Sequence, residues 1–350
     1  MKIVVAIDSY KGSITSLEAG SAIKEGILRS NPKATVEIKP LADGGEGTKD
    51  ALLEGLHGEN RTIEVMGPLR SKVIGEYAIV REKNLAIFEM ATASGIALLG
   101  EKRNPMNATT YGVGEIIKEA IREGCRNFLI GIGGSATNDG GIGMLQALGY
   151  EFLDKEGRSV PLGAQALGMV HRISDCNVIH ELKECEFKIA CDVTNPLCGE
   201  LGATYVYGPQ KGIKERDKEV VDENMLEYAR KVASFTGKDE RNSAGAGAAG
   251  GLGFAFLSFL NGKLLPGVEV VLEVVGLEES IKNADMVITG EGRIDAQTAM
   301  GKGPMGVAQI GKKYGKKVIA LAGSIGEGAQ VCNKEGLDAF ICIQSGPISL

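Results

Sequence analysis

The sequence holds 350 residues, 50 of them glycine, roughly twice the usual share, with no tryptophan and a net charge of −6 from 39 Lys and Arg against 45 Asp and Glu. The acidic balance and the lack of a basic block exclude a general nucleic-acid binder, and the lack of a G-X-Y period or long Gly/Pro/Ser tracts excludes collagen-like and disordered classes. Apolar stretches such as Val268 to Val275 carry charges and are far too short to span a membrane, so the length reads as a globular chain of two domains.

Lys2 to Ile7 is an apolar strand, and a polar turn with Gly12 follows it. Leu17, Ala19, Ala22, Ile23, Ile27 and Leu28 then recur at helical spacing up to Pro32. Thr35 to Lys39 is a second strand, followed by a glycine-rich loop to Thr48 and a helix to about Leu56. Arg61 to Met66, Lys72 to Val80 and Leu85 to Met90 are strand-like runs with close turns, which predicts an antiparallel meander. A helix (Tyr111 to Glu123), a strand (Asn127 to Ile132), a glycine-rich loop and a helix to Leu148 come next. The strand Phe187 to Cys191 precedes helices near Asp217 to Phe235 and Gly250 to Leu260. The last part alternates again: strand Asp285 to Thr289, polar loop Gly290 to Gly303, helix Pro304 to Tyr314, strand Lys317 to Ala322, helix Gly326 to Glu335, strand Ala339 to Ile343.

Strand–helix alternation at both ends predicts an α/β protein with two α/β domains. A discontinuous flavodoxin- or Rossmann-like parallel-sheet domain, 1–66 with 283–350, carries an inserted mixed α/β domain, 67–282. The N-terminus is too short for a signal sequence and reads directly as a strand. Seven cysteines, an odd number with no C-x-x-C pair, then read as reduced thiols of a cytoplasmic protein.

Five loops share one grammar, in which an apolar strand ends and small residues, carboxylates and glycines follow; ligands bind at such strand ends. Asp8-Ser9-Tyr10-Lys11-Gly12-Ser13 combines an acid, a cation and hydroxyls, which suits an anion; read alone, it is better taken as an N-cap beside a solvated lysine. Asp43-Gly44-Gly45-Glu46-Gly47 sets two carboxylates among three glycines, more than a cap requires, and both readings stand. Gly131 to Gly141 begins with G-x-G-x-x-A, a dinucleotide pattern. Ser135, Thr137, Asn138 and Asp139 extend it toward a loop that holds phosphate through Gly133, Gly134 and hydroxyls, and Mg²⁺ through Asp139.

Asp192 ends a buried-looking strand, where a carboxylate accepts a hydroxyl proton or a cation, or caps the turn before Pro196. Glu291, Arg293, Asp295 and Lys302 put acids for Mg²⁺ beside cations for phosphate, the parts phosphoryl transfer needs, although no Walker sequence is present. Ser243 to Gly253 contains G-x-G-x-x-G without a preceding strand; it lets a helix start near a ligand or packs tightly on a neighbour. His57, His171 and His180 lie outside these loops, which argues against histidine acid–base chemistry.

Together the loops resemble the type-1 glycerate kinase family over essentially the whole chain. Asp8 to Ser13, Pro40 to Thr48, Gly131 to Gly141, Cys191 to Gly199, Gly245 to Gly253, Gly290 to Pro304 and Lys317 to Gly323 carry the likeness. The resemblance implies ATP-dependent, Mg²⁺-assisted phosphorylation of D-glycerate to 2-phosphoglycerate, in a cleft between two α/β domains. Phosphorylation of the 3-hydroxyl, or an oxidoreductase built on Gly131 to Ala136, are the alternatives. Residue type assigns the roles. Asp192 is the first candidate for base or metal ligand, and Asp295 the second. Lys11, Arg293 and Lys302 offset the charge of phosphate and substrate carboxylate. Gly133, Gly134, Ser135, Thr137 and Asn138 form the phosphate loop. Asp8, Ser9, Asp43, Gly44, Gly45 and Glu46 bind substrate or phosphate, and Asp139 and Glu291 join Asp192 as Mg²⁺ candidates. The expected partners are D-glycerate and ATP, and a homodimer stays open. Family members continue with a further helical segment where this sequence stops at Leu350, which is expected to bear on stability or oligomer contacts.

Overall fold

The computed structural model describes residues 1–42, 49, 52, 53, 56, 58–100, 103–344 and 346. In chain order the strands are β1 (Lys2–Ile7), β2 (Thr35–Pro40), β3 (Glu59–Met66), β4 (Lys72–Val80), β5 (Leu85–Glu89), β6 (Asn127–Gly131), β7 (Glu151–Leu153), β8 (Arg172–Ser174), β9 (Glu186–Ala190), β10 (Lys263–Leu265), β11 (Met286–Ile294), β12 (Lys317–Ile325) and β13 (Ala339–Cys342). The fold is α/β, and the chain divides into two compact units, Met1–Gly58 with Pro266–Leu350, and Glu59–Leu265.

The first unit is built on a parallel sheet of order β13-β12-β11-β1-β2. Strand β1 is paired on both edges, and its β-branched run Ile-Val-Val-Ala-Ile is buried throughout, as a central parallel strand must be. The helix Ser16–Ser30 covers it, packing Ala19 against Ile3, Val5 and Ile7. Thr15 starts that helix with a capping box: its hydroxyl accepts from the Glu18 N–H at 3.2 Å, and the Glu18 carboxylate accepts from the Thr15 N–H at 2.8 Å. The turn from Asp8 to Ser13 is therefore not the cap.

Strand β11 runs past the expected end at Thr289 to Ile294, so Glu291 and Arg293 stand on a strand and not in a loop. Gly290 misleads because its role is packing. A Cβ on Gly290 would lie 2.1 Å from the Leu321 carbonyl oxygen of the paired strand β12. The helices Gly267–Val274 and Leu277–Lys282 also belong to this unit and were not read from the sequence. The helix expected from Gly326 begins at Val331.

The second unit carries a mixed sheet of order β10-β9-β6-β5-β4-β3. The meander β3-β4-β5 is antiparallel, while β5, β6, β9 and β10 pair in parallel. Its core takes Val113, Ile116, Ile117 and Ala120 from one face of the helix Tyr111–Arg122, with Phe128 and Phe187 stacked at 4.9 Å across β6 and β9. Two short features escaped the sequence reading, strand β10 and the hairpin of β7 and β8.

Candidate active site

In the first unit β1 and β11 are neighbours, but the chain leaves them in opposite directions, β1 toward β2 and β11 toward β12. Loops part at such a reversal and leave a crevice beyond the strand ends. A cavity of about 570 Å³ lies there, lined by Asp8, Lys11, Glu291, Arg293, Lys302 and Ser324 with the backbone between them.

Its floor is acidic. Asp8 is 6% exposed and accepts from the Ser9 N–H at 2.6 Å. Its other carboxylate oxygen faces the start of the helix Gly303–Lys313, 4.0 Å from where a Cβ on Gly303 would stand, which suits the positive end of a helix. Glu291 is 8% exposed and accepts from the Thr298 hydroxyl at 2.6 Å. Burial raises the Glu291 pKa, with the Thr298 bond and Lys302 opposing and the charges of Asp8 and Asp295 adding to the rise. Tyr10 completes the wall; its hydroxyl donates to the Leu321 carbonyl at 3.1 Å, and burial pushes its pKa up to about 12.

The rim is basic. Lys11 and Arg293 are exposed, and Lys302 is the N-cap residue of the helix Gly303–Lys313. Arg293 Nε lies 3.1 Å from Asp295 Oδ2, and Asp295 Oδ1 accepts from the Gln297 N–H at 2.9 Å. Asp295 is thus committed to Arg293 and its own turn. The fold brings Asp8, Ser9, Lys11, Glu291, Arg293 and Lys302 around one cavity. Asp43, Gly44, Gly45 and Glu46 lie outside the described residues.

In the second unit the loops after β6 and β9 start side by side, with Gly131 opposite Ala190. Asp192 is exposed two residues beyond β9. In the loop after β6, Gly133 and Gly134 are exposed, Ser135 is 8% exposed, and Thr137, Asn138 and Asp139 are fully buried.

The side chains of Thr137 and Asn138, expected to line a phosphate loop, and of Asp139, expected to hold Mg²⁺, are instead turned into the core. Asp139 Oδ2 accepts from the Thr110 N–H at 2.8 Å and the Thr110 hydroxyl at 2.9 Å, and Oδ1 from the Gly141 N–H at 3.2 Å. Burial raises its pKa against these bonds. Asn138 donates to Thr204 Oγ1 at 3.0 Å. The loop is drawn inward by the glycine segment Ser243 to Gly253, which packs on a neighbour. A Cβ on Gly250 (φ +67°) would meet the Thr137 carbonyl oxygen at 2.0 Å.

One buried residue escaped the sequence reading. Lys211, 1% exposed at the end of the helix Ala203–Lys211, donates to Ser135 Oγ at 2.8 Å and to the Thr137 carbonyl at 2.7 Å. A lysine 76 residues from its partner, outside every glycine loop, gives no local signal. Tyr10 and Thr298 were overlooked inside motifs already in view. His171 and His180 are exposed, and His57 lies outside the described residues. The seven cysteines are free, and among the described residues no group of three or more His, Cys, Asp or Glu is placed to hold a metal.

Residues 3–350 match the model of the glycerate kinase family. The chain is 46% identical over 349 residues to a glycerate kinase of Halalkalibacterium halodurans, covering 99% of this chain and 92% of that one. It is 44% identical over 344 residues to the glycerate 2-kinase of Escherichia coli K12, covering 98% and 90%. A crystal structure of a protein assigned as glycerate kinase 2 from Salmonella typhimurium LT2 superposes with a TM-score of 0.89 at 43% identity, covering 98% of this chain and 90% of that one.

The chain belongs to the glycerate kinase family. It is an enzyme with kinase activity, which sets aside the oxidoreductase reading of Gly131 to Ala136. Among the described residues of this kinase, no helix is long and apolar enough to cross a membrane.

Proposed function

We propose that this kinase transfers the γ-phosphoryl group of ATP to the 2-hydroxyl of D-glycerate, giving 2-phosphoglycerate and ADP. The observation that carries the chemistry is the crevice of the first unit, where Lys11, Arg293 and Lys302 stand over the buried carboxylates of Asp8 and Glu291. The choice of the 2-hydroxyl follows the relative named glycerate 2-kinase.

In the first unit the three cations neutralise the anionic groups of the substrates, because phosphoryl transfer depends on positioning and charge neutralisation more than on covalent chemistry. Hard carboxylate oxygens fit Mg²⁺, which is usually held by one or two carboxylates together with substrate phosphates and not by an all-protein cage. Asp8 and Glu291 match that pattern, and the mutual repulsion of their charges is what a divalent ion relieves. When bound, Mg²⁺ supplies charge neutralisation at the phosphates. In the second unit Asp192 accepts the proton of the attacking hydroxyl, and the exposed Gly133–Gly134 backbone receives phosphate oxygens of ATP.

The test is ADP release in a coupled assay with D-glycerate, L-glycerate or no acceptor, each with and without Mg²⁺. Release that requires both D-glycerate and Mg²⁺ supports the proposal. Release that is independent of glycerate overturns it.

A further inference from the structure

Lys211 poses a physical question that its hydrogen bonds do not answer. Its two acceptors, Ser135 Oγ and the Thr137 carbonyl, are neutral. A neutral donor would satisfy both, yet the fold keeps an amine there at 1% exposure, where burying a charge is costly. The same loop holds two more unspent polar atoms, Thr137 Oγ1 and Asn138 Oδ1, both buried without a hydrogen-bond partner. Between Gly131 and Gly140 only Gly133 and Gly134 are open to solvent. A buried amine bonded to Ser135 and Thr137, next to two solvent-exposed glycines of the same loop, is an arrangement for an anion.

We propose that Lys211 is a positioning residue for phosphoryl transfer: it pins Ser135 and Thr137 so that the Gly133–Gly134 backbone faces the triphosphate of ATP, and its charge draws that polyanion to the loop. This rests on assigning the loop to the ATP phosphates. Among the described residues, the charged groups near Lys211 are Asp139 of the loop, whose field favours the ammonium, and Arg103, which donates to the carbonyl of the adjacent Gln210 at 2.6 Å.

Burial pushes the Lys211 pKa down from 10.5 to about 7, with Asp139 opposing. A polyanion on the loop favours the protonated form, so binding ATP takes up a proton wherever the free enzyme has lost it. Affinity for ATP then falls as pH rises above about 7, by up to about tenfold per pH unit.

The experiment measures MgATP binding by calorimetry and KM for ATP from about pH 6.5 to about pH 9.5, in the wild type and in Lys211→Met and Lys211→Arg, with circular dichroism as the check on folding. Lys211→Met keeps the length of the side chain and removes its charge. It is expected to weaken ATP binding about tenfold near neutral pH and to flatten the pH dependence. Lys211→Arg, charged at every pH, is expected to recover affinity and stay flat. Lys211→Met with wild-type affinity and a wild-type pH profile overturns the proposal. If Lys211→Met fails to fold, Lys211→Gln, a neutral donor of similar length, is measured in its place, and wild-type ATP affinity in that variant also overturns the proposal. Calorimetry needs no glycerate, so a loss of the glycerate assignment and a loss of the Lys211 assignment are read separately.

Discussion

After β1 and β11 the first unit turns Lys11, Arg293 and Lys302 toward a cavity, whereas after β6 the second unit turns Thr137, Asn138 and Asp139 into its core. Both are polar, glycine-rich segments at the ends of parallel strands. The difference lies in what surrounds them. At β1 and β11 the chain leaves in opposite directions and opens a crevice. At β6 the next parallel strands, β9 and β10, continue one way, and the segment around Gly250 closes on the loop. A carboxylate in such a loop is left exposed or drawn into the core according to what packs on it, as exposed Asp192 and buried Asp139 show within one unit.

Substitution of that pair breaks or sharpens the contrast most strongly. Asp192→Asn is expected to lower kcat by about 10²- to 10⁴-fold, the range for losing a general base, with stability unchanged to within about 0.5 kcal/mol because the residue is exposed. Steady-state kinetics beside a thermal melt checks this, and a near-normal kcat removes Asp192 from the chemistry. Asp139→Ala has the opposite signature. It strands the Thr110 and Gly141 donors inside the unit and is expected to cost about 3 kcal/mol of unfolding free energy in denaturant titration. A melt like that of the wild type contradicts the structural role given to Asp139.

Smaller effects test the edges of the crevice. Arg293→Gln removes an exposed cation paired with Asp295 and is expected to raise KM for the anionic substrate about tenfold, less at high salt because exposed charges are screened. A KM insensitive to both substitution and salt places Arg293 outside the site. Thr15→Ala removes the cap of the helix that follows the crevice loop. It is expected to cost about 1 kcal/mol in a melt and to leave KM unchanged, which bounds the crevice at Ser13 and Ile14.

Much of the architecture was legible because it is local. The β-branched run of β1, the proline-limited helix after it, and the alternation around β11 to β13 each announce themselves within a few residues. What was hidden is tertiary. Gly290 and Gly292 looked like loop residues, yet β11 continues through them because β12 pairs as far as Ile325. Asp139 resembles Asp192 in its setting, and only the packing of Gly250 shows which one faces inward. Lys211 reads as a surface lysine until its contact with Ser135 is seen. Boundaries shifted for the same reason: β3 joins the second unit because it pairs with β4, whatever its composition.

The most direct test is the identity of the phosphorylated product. Wild-type enzyme incubated with MgATP and D-glycerate, with the product read by phosphorus–proton correlated NMR, is expected to show the new phosphate coupled to the C2 proton of glycerate. Coupling to the C3 protons, or no phosphorylated glycerate at all, contradicts the assignment.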